Sequence, residues 1–392
     1  MNKLYDIIGV PFGYLMSLIY KALEVINIPN YAVAIIIFTL VTKLLLFPVN
    51  YKTQKNAARM QLLQPKLEKL RKSYESNPQR LQEEQQKLYQ QEGINPMGSC
   101  LPMFIQIFLL FGVIDVVYKP ITHILHITKS VRDAAIEKAS ELCVKFGDIN
   151  GGKEIISGNL RSELLTAEVL EKHPEEFGQF AEGFNDKVTG FFDTFSLFGA
   201  NLGNTPEFHP ETWNKEAIIL FLIPFAAGLA QLLFSIYSQI HQKKVNPNVQ
   251  VQGGGCMTVM TLLMPIWSIW LAFEVPAGVG FYWIWSSLFS FVITFALNCY
   301  FSKERIEAIN EKEKEKARIY AEKHPEKKTF MQRMLEQQAA LEQQNGSAPR
   351  VNENGEKISR SEQNKQNRDR INEARKRMAE KYGDSYDEDN EE

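Results

Sequence analysis

Five nearly uncharged apolar blocks, at about 31–50, 101–118, 217–237, 256–273 and 279–300, interrupt a chain that is otherwise densely charged. Each has the length needed to cross a hydrocarbon core about 30 Å thick, at about 1.5 Å per residue. Lipid offers no water to backbone N–H and C=O groups, so these blocks are expected to be helices. Averages hide the pattern: mean hydropathy is −0.23, and 44 Lys and Arg nearly balance 46 Asp and Glu. The 92 residues after Tyr300 alone hold 20 basic and 21 acidic side chains. An ordinary soluble globular domain is excluded, and so is a uniformly basic nucleic-acid cradle. Cys100, Cys143, Cys256 and Cys299 lie far apart, so their spacing supports neither a disulfide framework nor a zinc site.

The expected fold class is all-α, a polytopic membrane protein with five transmembrane helices, an amphipathic N-terminal interfacial helix and a cytoplasmic helical hairpin. Residues 1–30 form the external N-terminal segment, 31–50 the first span and 51–97 the hairpin. The second span, 98–120, leads into an extracytoplasmic helical loop at 121–214. The remaining spans are 215–240, 256–273 and 279–300, joined by a cytoplasmic loop at 241–255 and an external turn at 274–278. A charged cytoplasmic tail follows from 301 to 392, with a composition typical of disorder from about 345.

Orientation comes from basic residues in the connections. Residues 51–97 carry nine Lys and Arg, whereas the long 121–214 loop carries eight against fifteen acids. The first is therefore placed in the cytoplasm, with the N-terminus outside and the C-terminus inside. Tyr31, Tyr118, Trp213, Trp270 and Trp283 are expected at the outer boundary. The N-terminal sequence lacks a basic region, an unbroken apolar core and a small-residue cleavage site, which argues against a cleaved signal peptide. Over 12–28, Phe12, Leu15, Met16, Ile19, Leu23 and Ile26 recur at helical spacing with Lys21 and Glu24 between them. An interfacial helix fits this pattern. The alternative, a sixth span, is disfavoured by Gly9, Pro11, Gly13 and the two charges.

In the hairpin segment, Met60, Leu63, Leu67, Leu70 and Tyr74 form one apolar stripe and Leu81, Gln85 and Leu88 a weaker one. Asn77-Pro78 suits the start of the second helix, and Pro65 is expected to perturb the first. A plain charged hairpin without a special role fits the same pattern. Residues 129–146 and 160–187 read as polar helices separated by Gly-rich chain.

Lys43 is the chemical outlier. It lies within YAVAIIIFTLVTKLLLFPVN, roughly 18 Å along the helix from Tyr31 and about 12 Å from Tyr51. Intramembrane ionisable residues point to function, though a lysine can also snorkel to the headgroups. Thr39 one turn earlier and Asn50 seven residues later continue a polar line, which fits an aqueous groove opening to the cytoplasm. Ser287, Ser290, Thr294 and Asn298 form a polar stripe on the last span; Gln231, Ser235 and Ser238 form one on the third. Small hydroxyl residues also serve as plain helix contacts. Gln106 on the second span and Gln231 on the third carry amides that are costly to leave unpaired in hydrocarbon. Asp115 lies near the outer end, within reach of the external headgroups. There is no GxxxxGK[ST] loop, no HExxH and no nucleophilic triad, so neither an enzyme nor an ATP-driven pump is expected, and no cofactor or metal. Pseudo-repeated halves, expected of many secondary transporters, are also missing.

Three stretches resemble the YidC family of membrane protein insertases: IIIFTLVTKLLLFPVN at 35–50, LLQPKLEKLRKSYESNPQRLQEEQQKLYQQEGINPMGSCLPMFIQIF at 62–108 and LLMPIWSIWLAFEVPAGVGFYWIWSSLF at 262–289. The resemblance implies a bacterial inner-membrane protein, of the five-span form, that inserts and folds clients without hydrolysing nucleotide. Its implied partners are nascent membrane-protein clients, the Sec translocon, membrane lipids, and the ribosome through the hairpin and the basic run at 374–381. The family's groove arginine falls at Lys43, its partner hydroxyl at Thr39 and its client-contacting aromatic at Trp283. With Gln106 and Gln231 these make up the expected client groove. The recruiting hairpin falls at 52–92 and the entry turn of the second span at 95–102. Two departures stand out. Lysine keeps the charge but lacks the guanidinium fork, and the 121–214 loop is much longer than usual, either an external docking surface or an inert cap. A lipid scramblase or small-solute conduit using the same groove, and a purely structural scaffold, are the rival classes.

Overall fold

The computed structural model describes residues 2–75, 77–94, 101–178, 183–245 and 254–323. The chain divides into two units, 1–317 and 318–392. Helix α1 spans Asn2–Val25 and α2 spans Tyr31–Leu45. Asn30 caps α2, its side chain accepting from Val33 N at 3.1 Å. A 57° bend then leads into α3, Phe47–Ser73. Pro48 at the start of α3 lacks an N–H and crowds the carbonyl one turn back, which accounts for the break.

Helix α4 spans Pro78–Gln91, with Asn77 accepting from Arg80 N at 3.1 Å. Helix α5 spans Leu101–Tyr118 and α6 Pro120–His123. The cap comprises α7 (Lys129–Phe146), α8 (Ser162–Lys172), α9 (Pro174–Phe177) and α10 (Phe184–Thr194). Strands β1 (Ser196–Leu197) and β2 (Ala200–Asn201) then pair antiparallel around Phe198 and Gly199, both at positive φ. Helices α11 (Lys215–Val245), α12 (Gly254–Phe273), α13 (Ala277–Tyr300) and α14 (Lys303–Lys323) complete the described chain. It is mostly helical, and the two-residue ladder is the one departure from all-α among the described residues. By length and apolarity, α11 and α13 can cross a membrane, and the bent α2–α3 pair is a third candidate. The apolar part of α5, Ile105–Tyr118, is shorter.

Three expectations are corrected. Helix α1 begins at Asn2 and runs through Gly9, Pro11 and Gly13, because those glycines admit a neighbour. A Cβ on Gly9 would overlap Asp115, one on Gly13 would overlap His123, and one on Gly112 of α5 would overlap Phe12. Pro65 does not interrupt α3. The 160–187 segment is divided among several short helices. Of the aromatic residues read toward the outer boundary, Tyr31 and Tyr118 pack inside the protein, Tyr31 among Tyr20, Phe191 and Phe195, and Trp213 and Trp270 are exposed.

The main core joins α1, α2, α5 and α13 to the segment around β1 and β2, and the cap has its own core around Ile136, Val169, Phe177 and Phe184. One stretch, 195–204, ties three helix starts together. Asn30 Nδ2 donates to Ser196 O at 3.3 Å ahead of α2. Ala277 N and Gly278 N, at the start of α13, donate to Asn204 O and Leu202 O at 2.9 and 2.8 Å. Glu216 in the first turn of α11 accepts from Asn201 N at 3.1 Å and Asn204 Nδ2 at 3.2 Å. Two first-turn amides of α13 that its own helix cannot satisfy are bonded in this way.

Candidate functional site

Lys43 sits in the last turn of α2, on the face that also buries Ile35, Phe38, Thr39 and Thr42. Only 6% of it is exposed. Its Nζ donates to Ser290 Oγ on α13 at 2.9 Å and to Gln106 Oε1 on α5 at 3.4 Å. The ammonium is therefore held between three helices. Among the described residues no carboxylate forms an ion pair with it, so two neutral oxygens stand in for water around a buried charge.

Thr39 is adjacent but differently engaged. Its hydroxyl donates back to Ile35 O at 2.6 Å, and Thr42 donates to Thr39 O at 2.9 Å. Both hydroxyls thus satisfy α2 itself. Gln231 is half-buried on α11 and is not among the groups bonded to Lys43. Trp283 is half-buried against the main core, seven residues and roughly 10 Å along α13 from Ser290. The structure thus joins Lys43 to Gln106 and leaves Gln231 and Trp283 outside that cluster. The 95–102 entry turn falls largely outside the described residues.

Ser290 belongs to the α13 stripe read in the sequence, and the stripe continues away from the cap. Asn298 accepts from Gln54 of α3 and donates to Tyr237 Oη of α11 at 3.2 Å. Gln54 and Tyr237 escaped sequence reading, since a glutamine in a charged helix and a tyrosine in an apolar one carry no signal of their own.

A second polar cluster lies at the cap end. Asp115 is fully buried, with Lys119 Nζ at 2.7 Å and His123 Nε2 at 2.6 Å, so it does not reach out to solvent or headgroups as expected. Ser17 of α1 bonds His126 Nε2 at 2.9 Å. Glu163 of α8 accepts from Thr122 N at 2.9 Å and from the Thr122 hydroxyl, with Arg132 Nη1 at 4.0 Å. Burial pushes the Glu163 carboxyl above its ordinary value against the opposing pull of Thr122 and Arg132.

Two helices long and apolar enough to cross a membrane, with a bent third candidate, and a cation enclosed between α2, α5 and α13 define a mostly helical membrane protein. The chain belongs to the 60Kd inner membrane protein family, whose model matches residues 22–304. Similar curated proteins include the membrane protein insertase YidC of Clostridium tetani, 48% identical over 85 residues, 21% of this chain and 39% of that protein. The membrane protein insertase YidC of Clostridium perfringens is 36% identical over 110 residues, 26% of this chain and 46% of that protein. That of Syntrophus aciditrophicus is 42% identical over 101 residues, 26% of this chain and 18% of that protein. The chain thus spans less than half the length of each of these relatives in its match.

Proposed function

We propose that the chain is a bacterial inner-membrane insertase and chaperone, using Lys43 to ease polar parts of client segments into the bilayer. The observation that carries the reading is the ammonium bonded to Ser290 and Gln106 between apolar helices. Such a charge is costly to keep in lipid, and a role in attracting polar or acidic chain offsets that cost. Hydrated or hydrogen-bonded client groups avoid the penalty of bare hydrocarbon. The process needs no covalent step and no nucleotide.

The full arrangement has five spans, with the N-terminus outside and the C-terminus in the cytoplasm. Helix α1 lies at the external interface, and α3 with α4 forms the cytoplasmic hairpin. Thr39, Gln106, Gln231 and Trp283 line the client path around Lys43, which opens when a client displaces the packing over the ammonium. Nascent membrane proteins are the clients, membrane lipids flank the path, and the Sec translocon and ribosome are partners.

Purified protein in nucleotide-free liposomes should raise insertion of a small two-span client over protein-free liposomes. Lipid flip-flop or solute flux without any gain in client insertion overturns the reading in favour of a scramblase or conduit. A fully inert protein would leave only a scaffold.

A further inference from the structure

Arg59 of α3 is a buried cation far from the Lys43 cluster. Only 4% of it is exposed, and its three side-chain hydrogen bonds run to α14 and to the chain just past α4. Its Nε donates to Asn310 Oδ1 of α14 at 2.8 Å. Its Nη1 and Nη2 donate to Gly93 O and Glu92 O, just past α4, at 3.2 and 2.6 Å. Glu92, 3% exposed, closes the circuit: it accepts from Lys66 Nζ at 2.6 Å and from Asn310 Nδ2 at 3.4 Å, with Lys314 Nζ at 3.6 Å.

Apolar packing runs alongside. Tyr51, Ala58 and Leu62 of α3 meet Leu297, Phe301 and Ile306 at the α13–α14 junction. Gly93, at φ +61, lies so close to Ala317 that a Cβ there would press on it.

We infer that Arg59 and Glu92 latch the α3–α4 hairpin to α14, making Arg59 a positioning residue that holds the hairpin as a fixed extension of the last apolar helix. The hairpin and tail helix then present one composite surface to an incoming chain. The consequence for clients rests on the insertase reading, whereas the latch itself does not. A buried guanidinium with three directed bonds fixes an orientation that two sliding apolar faces cannot.

The test is a spin-label distance between Gln82→Cys on α4 and Glu311→Cys on α14, in full-length protein with its native cysteines replaced, reconstituted in nanodiscs. Wild type should give one narrow distribution. Arg59→Ala should broaden it and populate separated states, by about tenfold to a hundredfold for loss of charged hydrogen bonds. Asn310→Asp alone should also broaden it, by setting two carboxylates side by side. Glu92→Gln combined with Asn310→Asp, which exchanges amide and carboxylate, should narrow it again and restore client insertion. That rescue separates positioning from general damage to folding. A broad wild-type distribution, or one unchanged by Arg59→Ala, overturns the latch even if insertion activity is normal. If the latch behaves as expected in a protein that inserts no client, the insertase reading fails instead.

Discussion

Lys43 Nζ and Ser290 Oγ, 247 residues apart in sequence, meet at 2.9 Å between α2 and α13. That contact converts a lysine that could have snorkelled into one whose charge is directed inward. It also makes the ammonium, and not the flexible stem, the feature that a substitution must preserve.

Lys43→Arg should therefore keep insertion activity, while Lys43→Ala should lower it on the order of tenfold, the factor given by about 1.4 kcal/mol. Lys43→Glu should be worst, and most severe for a client with an acidic translocated segment. The measurement compares acidic and neutral clients in proteoliposomes with equal protein content. Equal insertion of both by the Ala and Glu variants would remove Lys43 from the mechanism.

The N-out, C-in orientation rests on nine basic residues in 51–97 and on the acid-rich 121–214 loop. In a cysteine-free background, Glu154→Cys should react with an impermeant thiol reagent on intact cells once the reagent has passed any outer barrier. Lys312→Cys should react only after lysis. The opposite pattern reverses the proposed topology.

Two buried carboxylates should give pH dependences of opposite sign. Burial pushes Glu92 up, but the hydrogen bond and charge of Lys66, with Lys314 and Asn310, hold it below its ordinary value. A depressed folded value means stabilisation that is present above the ordinary carboxylate range and lost as pH falls through the folded value. The Gln82–Glu311 label distance should thus broaden on acidification below about pH 4.5, and Glu92→Gln should abolish that dependence. Glu163 is raised, chiefly by burial. Its contribution is largest at low pH and is lost as pH rises through the folded value. Glu163→Gln should flatten the fall of the melting temperature as pH rises above the ordinary carboxylate range, read by circular dichroism. A variant as pH-sensitive as wild type contradicts that assignment.

Phe195 is fully buried against Tyr31, Phe191 and Phe192, at the point where the 195–204 stretch gathers the starts of α2, α11 and α13. Phe195→Ala should cost about 3–5 kcal/mol, the range for a large aromatic removed from a packed core. The expected readout is a lower thermal transition in detergent by fluorescence-detected size exclusion. A shift no larger than that of the exposed Phe198→Ala control would show that this stretch does not secure the bundle.

The apolar blocks, their helical form, the outlying charge at residue 43 and the polar stripe on the last block could all be read from one dimension. Each depends on local quantities: residue polarity, a period near 3.6, and the cost of leaving a backbone group or a charge in hydrocarbon. The Asn77-Pro78 helix start is equally local, since a cap acts within one turn. Which groups those features meet is another matter. Gln106 and Gln231 look alike in sequence, but only Gln106 reaches Lys43, because that depends on how α5 and α11 rotate about their axes. Gly9 and Gly13 read as interruptions of α1 until α5 and α6 lie against them and need the missing Cβ atoms. Asp115 suits a headgroup by position, yet Lys119 and His123 enclose it once α6 folds over the end of α5. Arg59 is one of nine basic residues in its segment, and nothing local marks it out. Burial and directed bonds across 251 residues of separation decide its role, and those exist only when α3 and α14 are packed.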